Sequence, residues 1–430
     1  MRHIPVERFD GSVPSPIAIY RPPILGAFGQ GIDATMVGVA HFASVPNVAV
    51  GGPVTQVQEP TPGASIPFRR ATTFRTTQIV PTSQALAAGS QLVEITVEGS
   101  GYIYGIDLHA SNVTAANAAA VTFAEDGPWN AFDTIVLKDV NGELVNVTGY
   151  SLRLVNLYAG YAGWRNAEPV RAEAAPSGDT ANIFSLTTGA VGTGGSFRFH
   201  TFVPCGLNRR DLRGILGNQD RAQKYSLRDD YAANASIYGV APTNPGTLTV
   251  ERHYENYAVP SASNANGAPQ AQYPDDFGIL HYVTQATNAS PPVGGGGVNH
   301  FLPRLGNTIR LLILVLRSNS TRANAETNQP TRLQLNLGDT PIFVESAAYR
   351  LLLMWRRYGF DAPNGVFVYD FMTDIIGHAG DELGDDYLFT NGLVNAQFQI
   401  TYPAGFGAAA NSLLVITDDL VIPPTVDIYA

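Results

Sequence analysis

The sequence predicts an all-β chain: two consecutive eight-stranded jelly rolls with short helices and an extended N-terminal arm. Three observations lead to this prediction. From residue 68 onward, short stretches of alternating apolar and polar residues are separated by turns rich in Gly and Asn, which is the pattern of strands with one buried face. The same order of strands and helix recurs about 200 residues later, a spacing that suits a duplicated domain rather than a solenoid repeat. Prolines recur throughout the first 67 residues and exclude a long helix there.

The length of 430 residues predicts two domains of ordinary size. We expect an extended arm at 1–67, a first jelly roll at 68–258, a linker at 259–278 and a second jelly roll with a C-terminal tail at 279–430. The linker is assigned because Ser, Asn, Ala, Gly and Pro dominate its composition. Each half is long enough to bury a core without help from disulfides or metals.

The charge of the chain narrows the classes of function. Charged residues make up only 14% of it, against about 25% in an average soluble domain, and a weakly charged surface suits a protein that packs against copies of itself. A net charge of −10 argues against nucleic-acid binding over the whole surface. Residues 1–75 differ from the rest, because their six arginines and four acidic residues make this segment slightly basic.

Cysteine content and apolar runs exclude other classes. The single cysteine, Cys205, rules out a disulfide framework within the chain and is expected to be a small buried side chain. No secretory signal is predicted at the N-terminus. The longest apolar run, 311–316, is too short to span a bilayer.

Two helices and a set of strands follow from local patterns. A helix is predicted from about Gly149 to Ala159, with Thr148 as N-cap and Gly160 as its end. Asn141-Gly142 between two apolar runs predicts a hairpin with a type I′ turn. Strands are predicted at 93–97, 102–108, 135–137, 144–145, 197–203 and 247–254 in the first half, and at 309–316, 333–337, 342–344, 366–371, 396–402 and 413–416 in the second.

The second half repeats the helix of the first. Ser346 is the predicted N-cap of this helix and Gly359 its end. Residues 150–161 and 349–360 align without gaps and share a Tyr, two Leu and a Gly. Both helices follow a strand–turn–strand unit, so the match indicates a duplicated domain. Between the first helix and the next strand, residues 162–195 form a long polar loop, which in a compact domain usually has a function.

The order of these elements resembles that of a known family. The stretches that carry the resemblance are 128–132 (PWNAF), 135–142 (IVLKDVNG), 148–161, 214–220 (GILGNQD) and the strand at 225–227. They are similar to the double jelly-roll major capsid proteins of tailless icosahedral DNA viruses, notably tectivirus-like phages with an internal membrane. The resemblance covers about residues 68–423 as order and pattern, and the proline-rich arm is longer than in the family.

The resemblance implies a structural capsid protein and no enzyme. Such proteins form homotrimers whose six jelly rolls make a pseudo-hexagonal capsomer, and these capsomers contact one another and minor capsid and vertex proteins in the virion. Assembly would take place in the host cytoplasm. On this basis 162–195 is an expected outer loop, and the arm would contact an internal lipid membrane or link neighbouring trimers. No sequence-specific nucleic acid and no small-molecule substrate is expected.

Two groups of residues on predicted strands could carry chemistry, and each has a simpler structural explanation. On a strand, Glu251, His253 and Glu255 would share one face, which allows an acid–base pair for sugar hydrolysis, although a polar solvent face is the favoured interpretation. Tyr102 and Tyr104 could stack on sugars, which keeps a glycan- or receptor-binding β-sandwich as the alternative function. Neither pattern leads us to predict a catalytic or cofactor-binding residue, and no cofactor is predicted.

Two charged clusters also have both a functional and a simpler explanation. An acidic, Gly-rich segment could supply oxygen ligands to calcium, but it lacks the EF-hand spacing and is expected to be a solvated turn, so no metal site is predicted. An arginine patch could contact phosphate or an acidic neighbour, and ordinary surface salt bridges are favoured. The residues are Asp374, Asp381, Glu382, Asp385 and Asp386 in the acidic segment, and Arg209, Arg210 and Arg213 in the patch.

Overall fold

The structure, a computed structural model, describes residues 67–86, 91–99, 101–114, 119–161, 185–186, 194–207, 209, 211–219, 225–260, 274, 277–289, 295–323, 328–372, 387–393, 395–404, 406–407 and 411–421. They belong to one unit formed by Pro67–Ser261 and Gln272–Ala430. Three predicted features lie outside the described residues: the arm up to residue 66, most of the loop at 162–195 and most of the linker at 259–278.

The first half of the described chain contains twelve strands. They are β1 (Phe74–Ala85), β2 (Gln91–Val97), β3 (Gly101–Val113), β4 (Thr122–Phe123), β5 (Phe132–Lys138), β6 (Glu143–Val147), β7 (Ser185–Leu186), β8 (Phe197–Pro204), β9 (Leu216–Asn218), β10 (Tyr225–Tyr231), β11 (Tyr238–Val240) and β12 (Thr247–Tyr257). The helices are α1 (Phe68–Ala71), α2 (Gly149–Ala159) and α3 (Asn234–Ile237), with a 3₁₀ turn at Trp129–Ala131.

The second half of the described chain adds ten strands and one helix. The strands are β13 (Leu280–Ala289), β14 (Gly296–Phe301), β15 (Thr308–Ser318), β16 (Thr321–Arg322), β17 (Arg332–Leu337), β18 (Thr340–Glu345), β19 (Val366–Asp370), β20 (Leu388–Phe389), β21 (Ala396–Tyr402) and β22 (Ser412–Val421). The helix is α4 (Ala347–Tyr358). No helix in the described part of the chain is both long and apolar enough to cross a bilayer.

The first half folds as a jelly roll with two facing sheets. One sheet has the strand order β1-β12-β3-β8, and the other has the order β2-β10-β5-β6. Neighbouring strands are antiparallel in both sheets. The apolar residues of alternating positions meet between the sheets, as in β12, where Leu248, Val250 and Tyr254 are buried.

The second half repeats this arrangement strand for strand. Its sheets have the orders β13-β22-β15-β19 and β14-β21-β17-β18. Each half thus supplies eight principal strands, and in both halves the helix follows the fifth of them. The predicted duplication and the predicted pair of eight-stranded jelly rolls are confirmed.

The two long helices begin and end where the sequence predicts. The Thr148 side chain accepts a hydrogen bond from the Ser151 amide, and Ser346 accepts one from Tyr349. Gly160 and Gly359 end the helices in the left-handed conformation, both with φ of 76°. Local capping chemistry therefore fixes both boundaries.

The predicted hairpin at Asn141-Gly142 forms, but its predicted turn type is wrong. The strands β5 and β6 are joined by the four residues 139–142, and neither Asn141 nor Gly142 has the positive φ that a type I′ turn needs. Instead, the Asp139 carboxylate accepts hydrogen bonds from the amides of both residues. This side-chain turn satisfies the backbone without left-handed residues.

A buried ion pair connects the two sheets of the first roll. Arg252 on β12 and Asp229 on β10 are fully buried, with Nη2 and Oδ2 2.5 Å apart. The same guanidinium donates hydrogen bonds to the hydroxyls of Thr82 on β1 and Tyr231 on β10. Each polar atom that burial removes from water thus regains a partner, which is the condition for a charge inside a core.

Candidate assembly surfaces

The two jelly rolls share one sheet. Strand β6 of the first roll pairs in parallel with β13 of the second, with Val145 opposite Val283 and Asn146 opposite Thr284. The result is a ten-stranded sheet that contains strands of both rolls. Main-chain hydrogen bonds therefore join the rolls in addition to side-chain packing.

Helix α2 lies in the contact between the rolls. All of its residues, Gly149–Ala159, are buried. On the second roll, Leu311, Ile313 and Val315 of β15 belong to the core that contains this helix, whereas the alternate residues Leu312 and Leu314 belong to the second core. Strand β15 is thus covered on both faces, which explains why its sequence is continuously apolar.

A fully buried polar cluster fastens this contact. The Asp418 carboxylate on β22 accepts hydrogen bonds from Arg310 on β15, from His281 on β13 and from the Tyr161 hydroxyl just after helix α2. The distances are 3.0 Å from Arg310 Nη1, 2.8 Å from His281 Nε2 and 2.8 Å from Tyr161 Oη. Because Tyr161 belongs to the first roll and the other three residues to the second, the cluster bridges the rolls.

Both ring nitrogens of His281 face hydrogen-bond acceptors. Its Nδ1 lies 3.1 Å from the Cys205 carbonyl oxygen, and its Nε2 faces the Asp418 carboxylate. The imidazole ring thus links the rolls, because Cys205 belongs to the first roll and Asp418 to the second. Burial alone would raise the pKa of Asp418, but the positive charges of Arg310 and His281 lower it to about 2.

A second ion cluster joins the rolls at the other end of β15. Arg317 forms ion pairs with Asp126 and, at 3.5 Å, with Glu125. The backbone amide of Arg322 donates to the Glu125 carboxylate at 2.6 Å, and its guanidinium lies 3.4 Å from Asp126. The acidic residues belong to the first roll and the arginines to the second. The contact between the rolls is therefore held by buried apolar residues between two polar clusters.

Helix α4 occupies the same place in the second roll, but one of its sides is open. Ala347, Arg350 and Met354 are buried against their own roll. On the other side, Tyr349 is 50% exposed, Leu352 49% and Trp355 53%. In helix α2, by contrast, no residue is exposed.

The neighbouring sheet face of the second roll is also partly apolar. Ile342 and Val344 on β18 and Phe301 on β14 are among the exposed large hydrophobic side chains. They lie beside polar residues such as Gln334, which is opposite Val344 in the strand pairing. Together with Tyr349, Leu352 and Trp355, these residues define what we call the apolar face of the second roll. Exposed large hydrophobic side chains of this kind are typical of interaction surfaces.

The first roll presents a different open face, on the outer side of the sheet β1-β12-β3-β8. His200 on β8, His109 on β3 and Glu251 on β12 lie opposite one another across three strands. In the next row, Asp107 on β3 lies opposite His253 on β12. We call these five residues the histidine face.

Contacts within the histidine face are close. His109 Nδ1 and His253 Nε2 lie 3.6 Å and 3.9 Å from Glu251 Oε2, and His200 Nδ1 lies 3.8 Å from Asp107 Oδ1. The rings of His109 and His200 stack with centroids 5.3 Å apart. Burial lowers the pKa of His109 and lowers that of His200 to about 4, while it raises the pKa of Asp107 to about 7.

The prediction that Glu251, His253 and Glu255 share one face of a strand is confirmed, since residues of β12 alternate between buried and half-buried. They lie on the outer face of a sheet. Glu255 forms an ion pair with Arg209 at 3.4 Å, and burial raises its pKa. The three residues thus belong to, or adjoin, the histidine face, in line with the polar face that the sequence favoured.

Tyr102 and Tyr104 do not have the exposure that sugar stacking would need. Tyr102 is 1% exposed and packs edge-on against Phe68 and Phe277, and Tyr104 packs against Phe74 and Phe202. The expectation that they could bind a glycan is therefore wrong for these two side chains. Their rings are part of the first core, because the strand β3 is covered on both sides at this end.

The remaining predicted residues are structural or lie outside the described residues. Cys205 is buried, as expected, and burial raises the pKa of its thiol. Arg213 pairs with Asp211, and Arg209 also lies over the Phe74 ring. Among the described residues, no group of three or more His, Cys, Asp or Glu could hold a metal ion. Outside the described residues are Arg210, Asp374, Asp381, Glu382, Asp385 and Asp386.

Sequence reasoning missed the residues that hold the rolls together. Arg310, and Asp418 beside Asp419, are charges inside strongly apolar strands, and a charge in such a strand signals a buried partner. It also missed the exposed side of helix α4, although Tyr349, Leu352 and Trp355 recur every three residues in the sequence. Apolar residues on both sides of that helix were the available signal.

Comparison with solved structures finds proteins that share this architecture. The major capsid protein of Sulfolobus turreted icosahedral virus matches with a TM-score of 0.54 at 14% identity, covering 82% of this chain and 97% of that chain. The PBCV-1 protein VP54 matches with a TM-score of 0.57 at 12% identity, covering 82% of this chain and 95% of that chain. The chain has the double jelly-roll fold. No protein-family model and no curated protein sequence matches it. At these identities the likeness concerns the double jelly-roll itself, so the assembly surfaces have to be argued from this chain.

Proposed function

We propose that the chain is a major capsid protein, a structural subunit rather than an enzyme, which assembles as trimeric pseudo-hexagonal capsomers into an icosahedral shell around an internal membrane or genome. The solved structures with this fold that resemble it are capsid proteins. One observation carries the proposal: helix α2 is covered by the second roll, whereas the equivalent helix α4 exposes Tyr349, Leu352 and Trp355.

The internal contact suggests how copies associate. Within the chain, the helix and sheet edge of the first roll pack against the sheet β13-β22-β15-β19 of the second. If the second roll uses its own helix in the same way, it packs against the equivalent sheet β1-β12-β3-β8 of another copy. The contact is head-to-tail, and such a contact closes into a ring when its rotation allows. Three copies supply six rolls, which gives the pseudo-hexagonal capsomer.

The same proposal assigns roles to the other parts of the chain. Residues 1–67 act as an arm that contacts an internal lipid membrane or links neighbouring trimers. Residues 68–258 and 279–430 are the two rolls, 259–278 is the linker, and 162–195 lies on the outside of the shell. Neighbouring capsomers and minor capsid and vertex proteins are the partners, and assembly takes place in the host cytoplasm.

The mass of the purified full-length chain tests this proposal. Light scattering coupled to size exclusion is expected to give three times the chain mass of 45.9 kDa, or a closed shell. Dilution is expected to leave the trimer intact at micromolar concentration, because capsomer contacts belong to the large interface class. A stable monomer over the same concentrations would refute the capsid proposal.

A further inference from the structure

Equivalent faces of the two rolls differ in chemistry. The face of β13-β22-β15-β19 that contacts the first roll is apolar where Val368, Ile313 and Ile416 lie opposite one another. On the equivalent face of the first roll, the middle row consists of His200, His109 and Glu251. A contact through the first face stays permanently inside one chain. A contact through the second face would be polar and able to change its charge.

We propose that the histidine face controls association of copies by pH, so that acid weakens the contact between the first roll of one copy and the apolar face of another. This inference rests on the proposed function, because it concerns the regulation of the same contact. Histidine is suited to this role, since protonation adds a positive charge to its side chain. The occupant is a second copy of this chain.

The charged groups around the histidines determine the direction of the effect. Strand β12 contributes Glu251 and Glu255, β3 contributes Asp107, and β8 contributes Arg198, with Arg209 beside Glu255. The neighbouring residues on β1, opposite Glu255 and His253, are the uncharged Thr76 and Gln78. Above the pKa of about 7 of Asp107, three carboxylates face two guanidiniums and the face is slightly acidic. Acid neutralises Asp107 and protonates His109 and, only near its pKa of about 4, His200, so the face becomes basic.

The carboxylate of Asp361, just after helix α4, is exposed on the opposite surface, and so are two arginines, Arg356 on helix α4 and Arg332 on β17. At neutral pH the two arginines would meet a slightly acidic histidine face, which favours association. In acid the arginines would meet a basic face. Burying a protonated histidine in the contact would also remove the water that hydrates its charge. Both effects weaken the contact as the pH falls.

The pKa shifts of the histidines within a single copy have the same direction as the shifts expected on association. Burial already lowers the pKa of His109 and His200, and a docked copy would bury both rings further. A group whose pKa falls on association binds fewer protons in the complex, so adding protons drives dissociation. Each histidine whose pKa falls by one unit raises the dissociation constant by up to about tenfold in acid.

The test compares the mass of full-length variants between pH 7.5 and pH 4. The wild-type chain is expected to be trimeric at pH 7.5 and to dissociate at least about tenfold more readily at pH 4. The triple variant His109→Gln, His200→Gln, His253→Gln is expected to keep only the part of the response that Asp107 contributes, a change of less than about threefold. His200→Lys, which fixes a positive charge on the face, is expected to weaken the trimer already at pH 7.5. Near-ultraviolet circular dichroism at each pH confirms that every variant compared is folded.

His300→Gln is the matched control. It removes a buried imidazole from β14 of the second roll, where His300 Nε2 lies 2.8 Å from the Tyr402 hydroxyl, and it leaves the histidine face unchanged. This variant is expected to keep the wild-type response to pH. A wild-type trimer that is equally stable at both pH values, or a triple variant that responds like the wild type, would overturn the inference while leaving the capsid proposal in place. Absence of a trimer at pH 7.5 would overturn both.

Discussion

Replacing Asp418 by Asn is expected to lower the free energy of unfolding by about 3–5 kcal/mol, because it leaves the buried charges of Arg310 and His281 without their counter-charge. The carboxylate accepts hydrogen bonds from both residues and from Tyr161, and the side chains of Asp418, Arg310 and His281 are fully buried. Asparagine keeps the size of the side chain but offers one acceptor oxygen and no charge. Denaturant unfolding at one fixed protein concentration measures the change, since association also contributes to stability.

Two further variants test whether the loss of stability comes from the unpaired buried charge. Asp339→Asn removes a carboxylate from an exposed turn of the second roll and is expected to change stability by less than about 0.5 kcal/mol. The double variant Arg310→Met, Asp418→Leu removes both charges and is expected to be more stable than Asp418→Asn, since no unpaired charge remains. If Asp418→Asn cost less than about 1 kcal/mol, the cluster would not hold the rolls together.

The Asp418 carboxylate also makes the free energy of unfolding depend on pH, and the direction of this dependence follows from its pKa. Its pKa is about 2 in the folded chain, below the value of about 3.9 for an unfolded aspartate. Its contribution of about 2.6 kcal/mol is therefore complete above about pH 5 and is lost as the pH falls through 2. The wild-type chain should lose this increment over that range, and Asp418→Asn should show a correspondingly shallower dependence.

Leu352→Asp is expected to abolish the trimer with little effect on the fold of the single chain. Leu352 is about half exposed on helix α4, between Tyr349 and Trp355, and on the proposed assembly it becomes buried against another copy. A carboxylate at the centre of such a contact costs at least about 2 kcal/mol, which weakens association by about thirtyfold or more. Sedimentation velocity over a range of concentrations measures the effect.

Val140→Asp is the control for this variant. Val140 is 63% exposed in the turn between β5 and β6 of the first roll. The substitution adds the same charge to another exposed apolar position, so it tests whether any new carboxylate disturbs assembly. We expect this variant to remain trimeric. A trimer that survives Leu352→Asp unchanged would mean that helix α4 does not take part in the contact.

The sequence was sufficient for elements whose boundaries depend on neighbouring residues. Thr148, Gly160, Ser346 and Gly359 cap helices through bonds within a few positions, so reading along the chain located both helices. The hairpin at 139–142 was located for the same reason. Its turn type was wrong because the Asp139 side chain competes with the Asn-Gly preference, and both signals occur within the same four residues.

The polar clusters depend on contacts between distant residues and could not be predicted in the same way. Arg310 and Asp418 are 108 positions apart, and Tyr161 and Asp418 are 257 apart. Alternation along β12 showed that Glu251 and His253 share a face. It could not show that His109 and His200 lie beside them, because strand order decides which strands are neighbours. The fold was therefore more predictable than the surfaces by which it would assemble.

Electron images of the purified particle, averaged to a resolution that separates sheets and helices, test the central claim most directly. The account predicts a six-lobed ring of three copies in which helix α4 of each copy packs against strands β3 and β12 of the next. A monomer, or an oligomer in which first rolls contact first rolls and helix α4 stays exposed to solvent, would contradict it.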